Sequence, residues 1–485
     1  MPSSDDVEAH LREIADDAFS RAAGAPLIHG NRVRLLRDAQ ENYPAWLDAI
    51  RAARNHIYFE SYFICDDEVG REFAAALGER AAAGVHVRLI YDWLGNLGKA
   101  SGRFWQALRA AGVEVRCFNP PKPESPFGWL SRDHRKMLAV DSEVAFVTGL
   151  CVGRDWVGDP ERGIDPWRDT GVEIRGRAVA SVERSFARMW AMLGEPIPPG
   201  EAADEVRPAG HSAMRIVATE PATAGMLRVD QLVATLATSR LWLTDAYYAG
   251  TTSYVQALRA AAQDGIDVRL LVPSSTDVPL MRPLSRAGYR PLLEAGVRIF
   301  EWNGTMLHAK SAVADGSWAR VGSTNLNVAS WFGNCELDAV VEDVDFAREM
   351  EEAYLQDLDR STEIVLTARR RVQAPAPERA RPRRAGLWPI GGRPRPGRGS
   401  ASRAAAGAIR IGHTIGAAFT DRRVLGPVEA RLTTIAGVLL CGLALLFALF
   451  PRVLAYPLAA LAAWGGLALL YRGYRLWRRG ASDSA

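Results

Sequence analysis

Two stretches of the chain, DHRKMLAVD (133–141) and LHAKSAVAD (307–315), carry one arrangement: His, one residue, Lys, four residues, Asp. They stand 174 residues apart in a chain of 485 residues that holds only eight histidines and, against 55 arginines, four lysines. An imidazole can attack a phosphodiester phosphorus and form a covalent phosphohistidine. A second imidazole can protonate the leaving alkoxide as general acid. Two ammonium groups can stabilise charge on the non-bridging oxygens. His134, Lys136, His308 and Lys310 supply that set, and the chemistry needs neither a cofactor nor a metal; no cluster of metal-ligand type is visible in the sequence. Lysine is a compact point charge on a flexible stem, where arginine is a broad planar fork. In a chain that otherwise uses arginine, lysine beside each histidine points to a crowded phosphate pocket.

HRKMLAV and HAKSAVA have strand composition and run into DS and DG turns. In a strand, residues i and i+2 share a face, so each histidine is expected to point the same way as its lysine. Asp141 and Asp315 complete the motif at those turns and read as anchors making local hydrogen bonds, not as proton carriers. A working imidazole needs a partner that fixes its other ring nitrogen. Asp169 in PWRDTGVEI, 35 residues after His134, and Glu336 in GNCELDAVV, 28 after His308, are the candidates, each at the start of an apolar strand. Downstream of the motifs lie TGLCVGRDW (148–156) and GSTNLNVASW (322–331). Ser323 and Asn325 there can offer a hydroxyl and an amide near a phosphate; the position matching Asn325 in the first copy is Cys151.

The elements that must carry these residues repeat as well. AIRAARNHIYFESYF (49–63) parallels TLATSRLWLTDAYY (235–248), ALGERAAAGVHVRLIYD (76–92) parallels ALRAAAQDGIDVRLLVP (257–273), and ALRAAGVEVRCF (107–118) parallels LLEAGVRIFEW (292–302). Strands alternating with helices predict an α/β sandwich with a mixed sheet in each half. The halves, 31–205 and 206–368, are expected to pack about a pseudo-twofold axis after an N-terminal helical segment, 1–30.

Net charge is +3, but it is unevenly spread. Residues 369–431 hold fifteen arginines and three acids, residues 472–485 four arginines and one acid, and Arg452 adds one more; what is left for residues 1–368 is 3 − 12 − 3 − 1 = −13. A nuclease needs a basic face for phosphate backbones, and the acidic body argues against nucleic acid as partner. Residues 369–431 read as a linker attracted to an anionic membrane surface. Residues 433–450 carry no charge over a length that as a helix spans about 27 Å. A second apolar run follows, and the flanking arginines predict a transmembrane hairpin over 432–471 with both termini, the basic tail 472–485 and the body in the cytoplasm. The loop 119–133, with Phe127, Trp129 and Leu130, is expected to meet the headgroups. Five scattered cysteines fit a reducing compartment, and nothing in the sequence sets an oligomeric state.

The duplicated motif resembles the phospholipase D superfamily, and residues 30–365 resemble its bacterial cardiolipin synthases, notably in PWRDTG, DVRLLVPSSTDVPLMR and GVRIFEWNGTMLHAKSAVADGSWARVGSTNLN. That resemblance implies a membrane phosphatidyltransferase acting on phospholipids, with phosphatidylglycerol as acceptor and phosphatidylethanolamine as a further candidate substrate. It implies His134 and His308 as nucleophile and acid, Lys136 and Lys310 on the phosphate, and Asp169 and Glu336 as orienting groups. In lipid-active relatives the first histidine is the nucleophile; the near symmetry here leaves the order open. A phosphodiesterase of the same superfamily, a lipid hydrolase or a nuclease, is the alternative. Cys151 for the usual Asn, Ser142 for the usual Gly after the first motif, and a hairpin at the C-terminal end depart from the common pattern.

Overall fold

The computed structural model describes residues 4–121, 131–203, 205–278 and 281–366, with side chains from residue 14 onward, and isolated positions at Leu449, Tyr456, Ala463, Trp464 and Gly466. The basic linker, nearly all of the apolar pair 432–471, the tail, and Phe127, Trp129 and Leu130 lie outside the described residues. Among the described residues no helix is long and apolar enough to cross a membrane.

Short runs of β-branched and aromatic residues make the strands. The first half supplies β1 (Ile28–Arg37), β2 (His56–Ser61), β3 (His86–Asp92), β4 (Glu114–Phe118), β5 (Met137–Val140), β6 (Val144–Thr148) and β7 (Thr170–Gly176). The second supplies β8 (Ser212–Thr219), β9 (Arg240–Thr244), β10 (Asp267–Pro273), β11 (Arg298–Trp302), β12 (Ser311–Ala314), β13 (Trp318–Gly322), β14 (Glu336–Glu342) and β15 (Ser361–Ile364). All fifteen are linked by hydrogen bonds in the order β4-β3-β2-β5-β6-β7-β1-β8-β14-β13-β12-β9-β10-β11-β15. Apart from β15 the order is a palindrome about the β1/β8 contact, where Ile28 faces Met214 and Asn31 faces Ser212 in an antiparallel pair. The mixed character expected from the sequence is present. β2, β3 and β4 run parallel, and β5, β6, β7 and β1 run antiparallel. What the sequence did not indicate is that the two sheets join edge to edge.

The same pairings fix where chemistry can sit. Because β5 is antiparallel to both β2 and β6, its N-terminal end lies with the C-terminal ends of β2, β3, β4 and β6 and the start of β7. The equivalent ends of β9 to β14 follow the same rule. Both motifs and both candidate carboxylates therefore come to strand ends of one kind.

Each face of the sheet is covered. Helix Asp38–Ala52 and helix Glu68–Ala82, the latter capped by Asp67 on the Gly70 amide, close a first-half core around Trp46, Phe59 and Phe73. A larger core is common to both halves. It joins Met137, Val147, Val172 and Ile174 to Val313, Val321, Leu337 and Val341, with helix Val179–Met192 and helix Val344–Leu358 around them. Phe186 is fully buried there, its ring stacked on Tyr58 at 4.9 Å and beside Trp190 at 5.8 Å. Phe186→Ala should lower unfolding stability by about 3–5 kcal/mol in chemical denaturation, and one transition covering both halves is expected because the core is shared.

Candidate active site

The turn geometry explains the two aspartates that close the motifs. Asp141 and Asp315 have φ of 55° and 51°, as the tight hairpins β5–β6 and β12–β13 require. In the second turn Gly316 takes the next positive φ, 66°; in the first it is Ser142, at 54°. Ser142 is held in that conformation by Glu183, which accepts from its amide at 3.0 Å and its hydroxyl at 2.7 Å. The Asp141 carboxylate accepts from the amides of Arg54, Asn55 and His56 at 2.7–2.8 Å. Asp315 accepts from those of Thr238, Ser239 and Arg240 at 2.7–2.9 Å. Each therefore ties its hairpin to the start of the neighbouring strand, at the end of the sheet opposite the histidines. Although they belong to the motif, they are anchors outside the pocket.

The histidine and lysine of each motif are not in strands. β5 begins at Met137 and β12 at Ser311, so His134 to Lys136 and His308 to Lys310 form extended approach segments. The reason lies in their backbone partners, which come from the other half. His134 N donates to Cys335 O at 2.9 Å, and Cys335 N to Arg132 O at 2.7 Å. His308 N donates to Arg168 O at 2.7 Å, and Arg168 N to Met306 O at 2.8 Å. Each approach segment is thus stitched to the residues just before the opposite half's carboxylate strand.

The side chains follow the same crossing. His134 Nδ1 meets Glu336 Oε2 at 2.9 Å, and His308 Nδ1 meets Asp169 Oδ2 at 2.7 Å. Sequence order sets Asp169 after His134 and Glu336 after His308; the fold exchanges them. Both carboxylates are fully buried. Asp169 is further held by Trp156 Nε1 at 2.9 Å and the Thr170 amide at 2.9 Å. Glu336 Oε1 accepts from Asn334 at 3.1 Å. Tyr62 sets its ring edge to His134 at 5.0 Å, with Lys136 Nζ 5.2 Å from the ring centroid. Tyr247 stands to His308 and Lys310 in the same way, at 5.8 and 5.6 Å. Trp156 and Trp167 complete the wall around His308, at 5.4 and 5.7 Å. Each lysine bends back so that Nζ donates to the carbonyl of its own motif histidine, and all four motif side chains are buried.

Burial governs the proton affinities. It pushes both imidazoles down, His308 to about 4, and the nearby lysines push the same way. The partner carboxylates oppose this without cancelling it. Burial also brings Lys310 down to about 8, with Lys136 adding to the shift and Asp169 partly restoring it. Burial alone would raise the two carboxyls, but histidine, lysine and hydrogen-bond donors outweigh it and hold both below the ordinary range. Lys310 acts on His134 and Lys136 acts on His308, so the two motifs share one field. The arrangement is two neutral imidazoles, each held through Nδ1 with Nε2 left for chemistry, beside two ammonium groups.

Ser323 and Asn325 lie in the segment leaving β13. Ser323 Oγ accepts from the Leu337 amide at 2.9 Å, beside Glu336. Asn325 is buried, and its Oδ1 has no hydrogen-bond partner among the described residues. Beneath them Arg320 forms a double contact with Asp230 at 3.1 Å, and Thr324 donates to Asp338. In the first half Cys151 is buried and contributes its carbonyl, not its side chain, to Tyr43 OH at 2.8 Å. Gly149 matches Ser323: a Cβ there would come 2.1 Å from Asp169 Oδ1. Tyr62, Tyr247, Trp156 and Gly149 are the site residues that reading the sequence missed. A signal was present for the tyrosines, which stand in ESYF and DAYY just after the equivalent strands β2 and β9.

Comparison with known proteins agrees with this geometry. A family model described as "Cardiolipin synthase, PLD-like domain" matches residues 46–190 and 233–358. A cardiolipin synthase of Halalkalibacterium halodurans is 32% identical over 351 residues, 71% of this chain and 69% of that protein. Cardiolipin synthase A of Pseudomonas aeruginosa is 34% identical over 361 residues, 73% of each. In fold, the crystal structure of phosphatidylserine synthase from Haemophilus influenzae matches 72% of this chain and 91% of its own with a TM-score of 0.56, at 14% identity.

The crossed pairing has a direct spectroscopic consequence. Glu336→Gln removes the group that props up the His134 proton affinity, so the His134 imidazole pKa should fall while that of His308 stays; Asp169→Asn should do the reverse. Nitrogen NMR of the imidazoles reads both, and an effect of Glu336→Gln on His308 alone would refute the crossing. Gly149→Ala should drive Asp169 off His308 and lower turnover about 100-fold. Gly333→Ala, where a Cβ meets no atom within 4 Å, should leave turnover near that of the unaltered chain.

Proposed function

The chain belongs to the cardiolipin synthase family of phospholipase D-like proteins, and from that premise we propose that it is a membrane-anchored phosphatidyltransferase that joins two phosphatidylglycerol molecules into cardiolipin and releases glycerol. The observation that carries this reading is the pair of imidazoles from the two halves, each held through Nδ1 by the other half's carboxylate, with a buried lysine beside each.

In the first step His134 Nε2 attacks the phosphorus of one phosphatidylglycerol. The P–N bond forms as the bond to the glycerol headgroup oxygen breaks, and that oxygen takes the Nε2 proton of His308. His308 must be imidazolium for this, although burial disfavours that form. The arriving phosphodiester anion supplies the negative charge that favours it, while Lys136 and Lys310 hold the non-bridging oxygens. In the second step the terminal hydroxyl of another phosphatidylglycerol gives its proton to His308 Nε2 and attacks phosphorus. The P–N bond breaks, His134 is restored, and His308 is again charged for the next cycle. Asp169 and Glu336 hold the imidazoles in register throughout.

Substrate lies in a bilayer, and the rest of the chain fits that location. The apolar pair within 432–471 is proposed to anchor the protein as a hairpin in a bacterial inner membrane. The positive-inside rule puts the body on the cytoplasmic side, and the arginine-rich linker attracts anionic headgroups to an otherwise acidic body.

Purified full-length protein in phosphatidylglycerol liposomes should release glycerol and form cardiolipin in equal amounts, and EDTA should not inhibit it. Phosphatidic acid as the main product would make the protein a hydrolase instead, and cleavage of nucleic acid with inert liposomes would make it a nuclease. His134→Ala and His308→Ala should each abolish product. With His308→Asn, a phosphatidyl adduct stable to base and labile to acid should accumulate on His134; an adduct on His308 in a His134 variant would reverse the assignment.

A further inference from the structure

Behind the first motif, on the side away from the pocket, lies a charged cluster that the reaction above does not use. Asp133 and Arg135 alternate with His134 and Lys136 along the approach segment. Glu60 faces them from β2, whose register sets it opposite Met137. Glu60, Asp133 and Arg135 are each fully buried. Arg135 reaches Ser185 O and Oγ at 3.3 and 3.1 Å on helix Val179–Met192, and Thr219 O at 3.5 Å at the end of β8. Neither oxygen of Glu60, nor Oδ2 of Asp133, has a hydrogen-bond donor among the described residues. Yet the two carboxyls face each other within interaction reach. Two carboxylates in that position repel, and carboxylate oxygens can hydrogen-bond to each other only through a proton. One guanidinium balances one negative charge. The cluster is neutral only if the pair keeps a single proton.

At the matching positions the second half carries no charge. The positions matching Glu60, Asp133 and Arg135 are Thr244, Leu307 and Ala309, and Leu307 and Ala309 lie in the shared apolar core. His308 and Lys310 are therefore backed by packing, whereas His134 and Lys136 are backed by buried charge.

We propose that Glu60 and Asp133 share one proton and, with Arg135, form a proton-dependent anchor that positions His134 and Lys136. Asp133 donates to the Glu60 carboxylate, Glu60 balances Arg135, and the outward-facing residues take their direction from these inward-facing ones. Loss of the proton to solvent sets two carboxylates against each other and displaces the segment. The groups facing the pair from neighbouring elements are Arg135 and Lys136 on the segment, Arg132 with Asp92 from the end of β3, and the Cys335 thiol of the second half. Burial, the largest influence, raises the proton affinity of both acids, and Arg135 opposes it without reversing it. The folded chain thus keeps the proton to higher pH than the unfolded chain. Stability from this source falls as pH rises out of the ordinary carboxylate range.

Asp133→Asn copies the one-proton state, with an amide donating to Glu60. Glu60→Ala destroys it and leaves Asp133 with no carboxylate to share a proton with. In full-length protein, the infrared difference between unaltered chain and Asp133→Asn at neutral pH should contain the C=O band of a protonated carboxylic acid, shifted in heavy water. The melting temperature of Asp133→Asn should gain on that of the unaltered chain as pH rises. Turnover should stay near normal in Asp133→Asn and fall about 100-fold in Glu60→Ala through misplacement of His134, with KM for lipid unchanged. Superimposable infrared spectra, or parallel melting curves against pH, would overturn the shared proton. Asp133→Asn as inactive as Glu60→Ala would overturn the anchor. The infrared and thermal arms do not depend on which phosphodiester the enzyme uses, so they stand apart from the reading of its substrate.

Discussion

Two buried hydrogen bonds, His134 to Glu336 and His308 to Asp169, impose the main constraint on this molecule. Each joins one half of the repeat to the other, so neither half holds a complete site. A buried imidazole–carboxylate pair is favourable only when its geometry is good and its remaining atoms are satisfied. The halves must therefore be held to within a few tenths of an ångström. That is what the edge-to-edge β1/β8 junction, the exchanged backbone bonds at Cys335 and Arg168, and the shared core accomplish together. In a looser pair of domains the same residues would not make these bonds.

The choice of lysine in a chain of arginines follows from the same crowding. Each ammonium is fully buried, folded back onto a carbonyl of its own motif and set against the face of a tyrosine. A guanidinium in that space has too many donors to satisfy and too broad a plane to fit. Arginine appears instead where its fork is matched by fixed acceptors: Arg320 on Asp230, and Arg168 on Asp38 and Asp357. Both of these sit one layer behind reacting groups, the first under the Ser323–Asn325 segment and the second beside the backbone that holds His308.

The two halves have kept the same strands and diverged in what supports them. The first has a charged cluster under its motif and apolar Cys151 after β6; the second has apolar residues under its motif and Arg320, Asp230 and Asp338 after β13. Their buried polar groups are thus complementary rather than duplicated. A near-symmetric frame carries two imidazoles in unlike surroundings, which suits the proposed cycle with one nucleophile and one acid.

The sequence by itself determined the family and most of the frame. The His–Lys spacing, the scarcity of lysine, the acidic residues at strand starts and the repeat order are local properties, readable because strand period and turn composition act over a few residues. Asp141 and Asp315 were legible as anchors for the same reason: an Asp-Ser or Asp-Gly turn is a local event. The tertiary structure decided the rest. Offsets singled out Asp169 and Glu336 as candidate partners without pairing them, because proximity in the chain does not fix contact across a pseudo-twofold junction, and the pairs are crossed. Strand composition suggested that His134 and Lys136 lie within a strand. Hydrogen bonds to the other half, 202 residues away in the case of His134 and Glu336, hold them in an extended approach instead. The Glu60–Asp133 contact was illegible for the same reason, because it depends on the register between β2 and the motif, which no single stretch of sequence encodes.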